Sequence, residues 1–246
     1  MTREIIWKGN EFTNSNDRGG NVPVAIVNHI SAGTMSSMDS WFRSSGNQVS
    51  SAHFGVSKDG RIHQYVKIER MAWANGITAD RFPYATASIV NDFGINPNLY
   101  TVSIEHEGTD GELTEEQFQA SVWLHRYIRQ YVRDIWGKEI PFDEYHVIGH
   151  FQIDPIRKPN CPGPKFPWSR LYAALKNEEE EDDMAKLDQG VAQTLINSYL
   201  KPSWEVADGQ EKAAADTQIA EAWKTQKNYY KWLANSLRDA SGLPRE

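Results

Sequence analysis

The sequence predicts an α/β fold followed by a small α-helical C-terminal domain, and three observations carry that prediction. Two stretches rich in β-branched residues, VPVAIVNHI at 22–30 and YTVSIEHEG at 100–108, read as central strands. A capping box, Thr114-Glu115-Glu116-Gln117, opens a long amphipathic helix. Beyond an acidic run at 177–183, two further apolar stripes follow helical spacing.

Composition and charge narrow the function classes. With 39% hydrophobic and 24% charged residues, the 246-residue chain has an ordinary globular composition and no apolar run long enough to span a membrane. A net charge of −7 argues against nucleic acid as a partner. The charge is uneven: residues 178–246 carry 14 acidic and 8 basic side chains, net −6, which leaves 1–177 near balance. A division is therefore expected into a first domain at 1–177, a solvated acidic linker at 178–183 and a helical module at 184–246. A single cysteine, Cys161, excludes an internal disulfide. The N-terminal MTREIIWKGNEF lacks a basic flank before an apolar core, so no Sec-type signal is expected.

In chain order, NSNDRGGN at 14–21 is expected to be a surface loop. The strand at 23–30 delivers Asn28 and His29 to its end, before a Ser31-Ala32-Gly33 turn. Residues 34–44 suit a short helix with Met38, Trp41 and Phe42 on one face. Asp59-Gly60 between the runs 51–56 and 61–66 marks a hairpin, and 71–76 suits another short strand. Residues 77–99 show no clean period; a long irregular loop in a compact domain is commonly functional, so Arg81, Phe82, Tyr84 and Phe93 are expected on a cleft wall. In the strand at 100–108, Glu105 and Glu107 share a face, and a carboxylate in a buried strand favours chemistry. The helix from Thr114 to Trp136 packs a stripe through Phe118, Val122, His125, Ile128, Val132 and Ile135, and Gly137 ends it.

The stretch 144–168, EYHVIGHFQIDPIRKPNCPGPKFPW, gathers the most chemistry. Strand-like alternation carries His150 to a sheet end, with His146 on the same face, and a proline-rich loop then leads to Cys161. An imidazole and a thiolate held by a stiff loop suit zinc, but a further ligand must come from elsewhere. A closing helix is expected at 167–176. Two helices are expected after 184, the first running to Lys201-Pro202 and the second from about 210 to 240.

The residues GH followed by DPIRKPNCPGP resemble the metal-binding segment of the zinc N-acetylmuramoyl-L-alanine amidases, the fold shared by phage lysins, muropeptide-recycling amidases and peptidoglycan-recognition proteins. VNHISAG at 27–33, SAHFGVSKDGRIHQYV at 51–66, MAWANG at 71–76 and TVSIEHEGTDG at 101–111 match in the same order, so the resemblance covers roughly 20–176. It implies a mixed central β-sheet flanked by helices, and zinc (Zn2+) held by His29, His150 and Cys161. It also implies Glu105 as general base and Lys158 as the cation facing the oxyanion, although Pro159 and Asn160 place Lys158 one residue farther from Cys161 than is usual. Short phage amidases carry a catalytic tyrosine where Ala52 stands, so His53 reads as a residue supporting the site from behind. Asn75, where many relatives have histidine, joins Phe82 and Tyr84 as an expected substrate contact.

The implied substrate is bacterial peptidoglycan and the implied bond joins N-acetylmuramic acid to L-alanine. Three uses compete: a phage or prophage endolysin made in the host cytoplasm and reaching the wall by holin-type release, a cytoplasmic recycling amidase, and a non-catalytic recognition module. The C-terminal helices favour the first, as a wall-targeting module with Trp223, Tyr229, Tyr230 and Trp232 offering aromatic faces; self-association into a homo-oligomer is their other expected use.

Overall fold

The computed structural model describes the backbone of residues 3–184 and 187–245 and the side chains of 3–176 and 187–245. The chain divides into two compact units, Met1–Asn177 and Glu178–Glu246.

The first unit is built on a six-stranded mixed sheet. Its strands are β1 (Ile5–Trp7), β3 (Ala25–Ile30), β4 (Phe54–Val56), β5 (Ile62–Gln64), β7 (Thr101–His106) and β8 (Val147–Gly149), in the spatial order β1-β5-β4-β7-β3-β8. Only β4 and β5 run antiparallel, as the Asp59-Gly60 turn requires; the other pairs are parallel. Between β1 and β3, the residues expected to be a loop include β2 (Ser15–Asp17), which pairs with β6 (Arg70–Ala72) in a small antiparallel ribbon.

Alternation along β3 and β7 divides the side chains between two faces. Ile26, Val102 and Ile104 pack with Phe54, Ile62 and Val147 under the long helix α3 (Glu115–Trp136), through its Phe118, Leu124 and Ile128. Thr114 caps this helix by accepting from the Gln117 amide, and Gly137 closes it in the left-handed region that glycine adopts without strain. On the opposite face Ala25, Val27 and Ile148 meet Phe82, Ile89, Val90 and Tyr100. A third cluster joins Ala52 and Tyr65 to Met35, Met38 and Phe42 of α1 (Met35–Phe42).

Three local expectations are corrected. Residues 77–99 are ordered, holding a 3-10 turn at Ala79–Tyr84, helix α2 (Ser88–Phe93) and a second 3-10 turn at Pro97–Leu99. The strand carrying His150 stops at Gly149, and His150 is the first residue of a short helix, α4 (His150–Ile153). The closing helix, α5 (Trp168–Met184), runs on through the acidic residues, because glutamate is a good helix former; the expected linker is therefore helical in its backbone. The expected solvation of that run and the stripe position at Met184 lie outside the described side chains.

From Gln189 on, the second unit is two long helices. α6 (Gln189–Leu195) passes through a π turn at Ile196–Leu200 into α7 (Lys201–Ala213), and α8 (Thr217–Ser241) returns. Pro202 does not end the first helix as expected. It cannot donate to the carbonyl four residues back, and the widened π turn just before it absorbs the mismatch. Asp216, accepting from the Gln218 and Ile219 amides, fixes the start of α8 later than expected.

Candidate active site

The parallel pairing of β3 with β7 places His29 opposite Glu105, and alternation points both to the same face. His29 Nδ1 lies 4.0 Å from Glu105 Oε1. Beyond β8, His150 brings its own Nδ1 to 3.0 Å from that of His29. Cys161 Sγ approaches to 3.9 Å from His29 Nδ1 and accepts from the Ile30 amide at 3.4 Å. The loop carrying Cys161 is tied back to α4 by the Phe151 amide, which donates to the Cys161 carbonyl at 2.8 Å. His146 stays apart at the start of β8, with its Nδ1 2.7 Å from Asp143.

The protonation pattern suits a cation held between these groups. His150 Nε2–H donates to the Asn75 carbonyl at 2.8 Å, so its Nδ1 carries the lone pair and faces the other imidazole. Burial, then the neighbouring histidine, holds His29 well below the usual imidazole range; burial brings His150 down to about 4. Both rings are therefore neutral, as metal ligands must be. Burial and then Glu105 push the Cys161 thiol up to about 12, so capturing a metal would release its proton. One ligand atom from each of His29, His150 and Cys161 falls within a span of 4.8 Å. Two imidazoles and one thiolate fit zinc, and three protein ligands leave a position for water or substrate.

Glu105 is set for proton transfer. Its Oε2 is buried with no hydrogen-bond partner, and burial raises the carboxyl to about 7, with Lys158 pulling the other way. Glu107, the alternative, instead accepts from the Lys58 amide at 2.9 Å. Lys158 joins His29, Glu105, His150 and Cys161 in lining a cleft of about 430 Å³, despite the longer spacing to Cys161. Arg157 points elsewhere, bonded to Asp154 at 2.6 Å and to the Gly76 carbonyl.

The remaining expected contacts lie elsewhere. Asn75 is buried, with its side chain donating to Thr101 Oγ1 at 3.1 Å; its contribution is the carbonyl that orients His150. Phe82 sits in the core beneath β3, because the 3-10 turn folds it inward, and neither it nor the exposed Tyr84 lines the cleft. Arg81 is drawn to Asp154 at 2.8 Å. His53 is buried beside β7 on the face that carries Glu105, where its Nδ1 accepts from the Ser103 amide at 3.0 Å and its Nε2 meets the Arg70 carbonyl at 2.9 Å.

Two features escaped the sequence. The wall facing the ligands is made by Met38, Trp41 and Phe42 of α1 with Trp73, and their shared helical face was the available signal. Behind the site, His106 Nδ1–H donates to the His29 carbonyl at 3.0 Å, and its Nε2 accepts from Ser121 Oγ at 2.9 Å. His125 Nδ1–H donates to the Ser121 carbonyl at 2.7 Å, and its Nε2 accepts from Asn28 at 3.2 Å. Burial lowers His106 to about 3 and His125 to about 4, so this chain of neutral groups fixes the end of β3 without adding charge.

Comparison with known proteins bears on the family and the fold. The chain is 33% identical over 129 residues to the 1,6-anhydro-N-acetylmuramyl-L-alanine amidase AmpD of Escherichia coli, a match covering 52% of this chain but 60% of that protein's length. It is 29% identical over 184 residues to N-acetylmuramoyl-L-alanine amidase A of Achromobacter lyticus, covering 69% of this chain and 92% of the relative. The fold superposes on a crystal structure of a selenomethionine AmpD derivative with a TM-score of 0.52 at 21% identity, over 71% of this chain and 96% of the other. A profile of the N-acetylmuramoyl-L-alanine amidases matches residues 19–164, more than half of the sequence and all of the site just described, and the chain belongs to that family.

Proposed function

We propose that this protein is a zinc-dependent N-acetylmuramoyl-L-alanine amidase that cleaves the lactyl–L-alanine amide of peptidoglycan, acting as an endolysin on the bacterial wall. The observation that carries the reading is the convergence of a buried, unpartnered Glu105 carboxylate and Lys158 on the cleft that holds His29, His150 and Cys161. A zinc ion on those three ligands would acidify a water and polarise the amide carbonyl. Glu105 accepts the proton of the attacking water as the new C–O bond forms, and then delivers it to the L-alanine nitrogen, so that the amide C–N bond breaks and the amine leaves neutral. Lys158 offers a cation to the oxygen that gains negative charge. The Asn75 carbonyl keeps the His150 ring turned, and Trp41 and Trp73 line the cleft facing it.

Two readings of the biological role remain distinct. Similarity to AmpD, named for an anhydro-muramyl substrate, favours recycling of soluble fragments. The second helical unit favours wall degradation, since hydrolysis of a soluble substrate does not need it. Turbidity loss of purified walls, measured beside release of L-alanine amino groups from soluble muropeptide, separates them. Wall clearance with mass-detected free stem peptides supports the endolysin; turnover of soluble muropeptide alone supports recycling, and no new amino termini from either substrate would refute both.

A further inference from the structure

The second unit contains a cavity that the amidase reaction does not use. It measures about 310 Å³ and lies between the π turn and α8, lined by Ile196, Leu200, Trp204, Tyr230 and Ala234, with Lys201, Lys231 and Arg238. Among the described residues no acidic side chain lines it, although the unit carries net −6. Lys227 nearby is already engaged by Asp208 and Glu211, whereas Lys201 and Lys231 are exposed and have no ion pair among the described residues. Arg238 is buried at the floor and donates to Asn235 at 3.3 Å. Cations gathered on an acidic unit, around two aromatic rings, mark a site for an anion attached to a ring with an apolar face. The volume stands at the low end for ligand cavities and admits one sugar unit, not a strand.

We infer that this cavity binds an amino sugar bearing a carboxylate, with the ring against Trp204 and Tyr230 and the carboxylate between Lys201 and Lys231. The inference rests on the amidase reading, because cleavage of the lactyl amide converts a neutral carbonyl on the muramic acid into a carboxylate. The second unit would then hold the glycan that the first has just stripped, keeping the enzyme on partly digested wall.

The test uses the full zinc-loaded chain and two sugars that differ by the lactyl group, N-acetylmuramic acid and N-acetylglucosamine, titrated calorimetrically without turnover. The acidic sugar should bind at least ten-fold more tightly, about 1.4 kcal/mol. The preference should vanish in Lys201→Glu/Lys231→Glu, survive in Lys201→Arg/Lys231→Arg, and survive in Lys158→Ala. Both substituted lysines are exposed, so the variants should fold, which circular dichroism checks. Equal binding of the two sugars, or a preference unchanged in the charge-reversed protein, overturns the inference. So does a preference lost with Lys158, which would place the sugar in the catalytic cleft. Tighter binding of glycerol 3-phosphate than of N-acetylmuramic acid overturns it in favour of phosphate-bearing polymers. Because no arm measures hydrolysis, failure here leaves the amidase reading standing, and failure of wall cleavage leaves this binding result standing.

Discussion

His29 and Glu105 are register partners on adjacent parallel strands, and their side chains rise on the same face to bring Nδ1 and Oε1 within 4.0 Å. The proposed ligand and the proposed base, so placed, cannot be separated without shearing the centre of the sheet. Each can therefore be altered chemically while its geometry is kept.

Glu105→Gln preserves shape and removes the proton acceptor. Bound zinc should stay stoichiometric by elemental analysis, while turnover on soluble muropeptide falls on the order of 10²–10⁴-fold. Loss of metal together with activity would show that Glu105 serves the metal and not the proton.

Cys161→Ser removes the soft ligand and leaves two imidazoles. Zinc retained after dialysis against a mild chelator should drop sharply, and hydrolysis with it. A fully loaded, active variant would mean that the thiol is not a ligand.

Lys158→Ala should keep its zinc and lose about 10²-fold or more in kcat, since it deletes the cleft cation proposed to meet the developing oxyanion. Arg157 is held by Asp154 and Gly76 and cannot take over. An unchanged kcat would assign oxyanion stabilisation to groups other than Lys158.

Asp154 predicts a pH dependence of stability. Burial raises its carboxyl, but hydrogen bonds from Arg81 and Arg157 outweigh that and bring it to about 2. A depressed carboxylate stabilises the fold above its unfolded value, about 3.9, and the contribution disappears as pH falls through the folded value. Asp154→Asn should therefore cost about 2 kcal/mol at pH 7, measured by denaturant unfolding, with the gap to the parent closing between about pH 4 and pH 2. A gap independent of pH would assign the loss to packing.

A chain ending at Asn177 keeps every proposed catalytic group and the packed residues Leu171 and Leu175 of α5. It should bind zinc and cleave soluble muropeptide as the full chain does, and lose at least ten-fold on intact walls, where attachment raises local substrate concentration. Sedimentation of both forms checks the other use: a changed oligomeric state with wall cleavage intact would make the helices an assembly device.

The parts of the fold legible in the sequence are those whose pattern is local. The β-branched runs around Val27 and Ile104, the capping box at Thr114 and the Asp59-Gly60 turn each have one stable local solution. The three-residue strands β1 and β2 were invisible, because pairing with distant segments decides them and their composition does not. Pro202 misled, since a π turn can absorb a proline that normally stops a helix. At the site, ligand chemistry singled out His150 and Cys161, and the family resemblance was needed to join His29 to them. The cleft wall did not show itself, because Trp41 and Trp73 come from separate elements brought together by packing. Asn75 reads from its residue type as a substrate contact, yet its carbonyl does the orienting, and a backbone atom leaves no trace in residue identity.

The loop that carries Cys161 is pinned on both sides. Upstream, the Lys158 amide closes a turn onto the Asp154 carbonyl at 2.9 Å. Downstream, Gly163 lies so close to the Asp110 backbone that any Cβ would overlap it, and its φ of +117° is one that glycine tolerates. Pro159 and Asn160 are the only residues between the pinned lysine and the cysteine. A change of length is best absorbed in that short interval, where a turn closed by the Cys161 amide on the Lys158 carbonyl at 3.1 Å can be rebuilt while the sulfur keeps its place. The same change made between Cys161 and Gly163 would drag the ligand away from the histidines, so the two sides of one cysteine differ sharply in their tolerance of length.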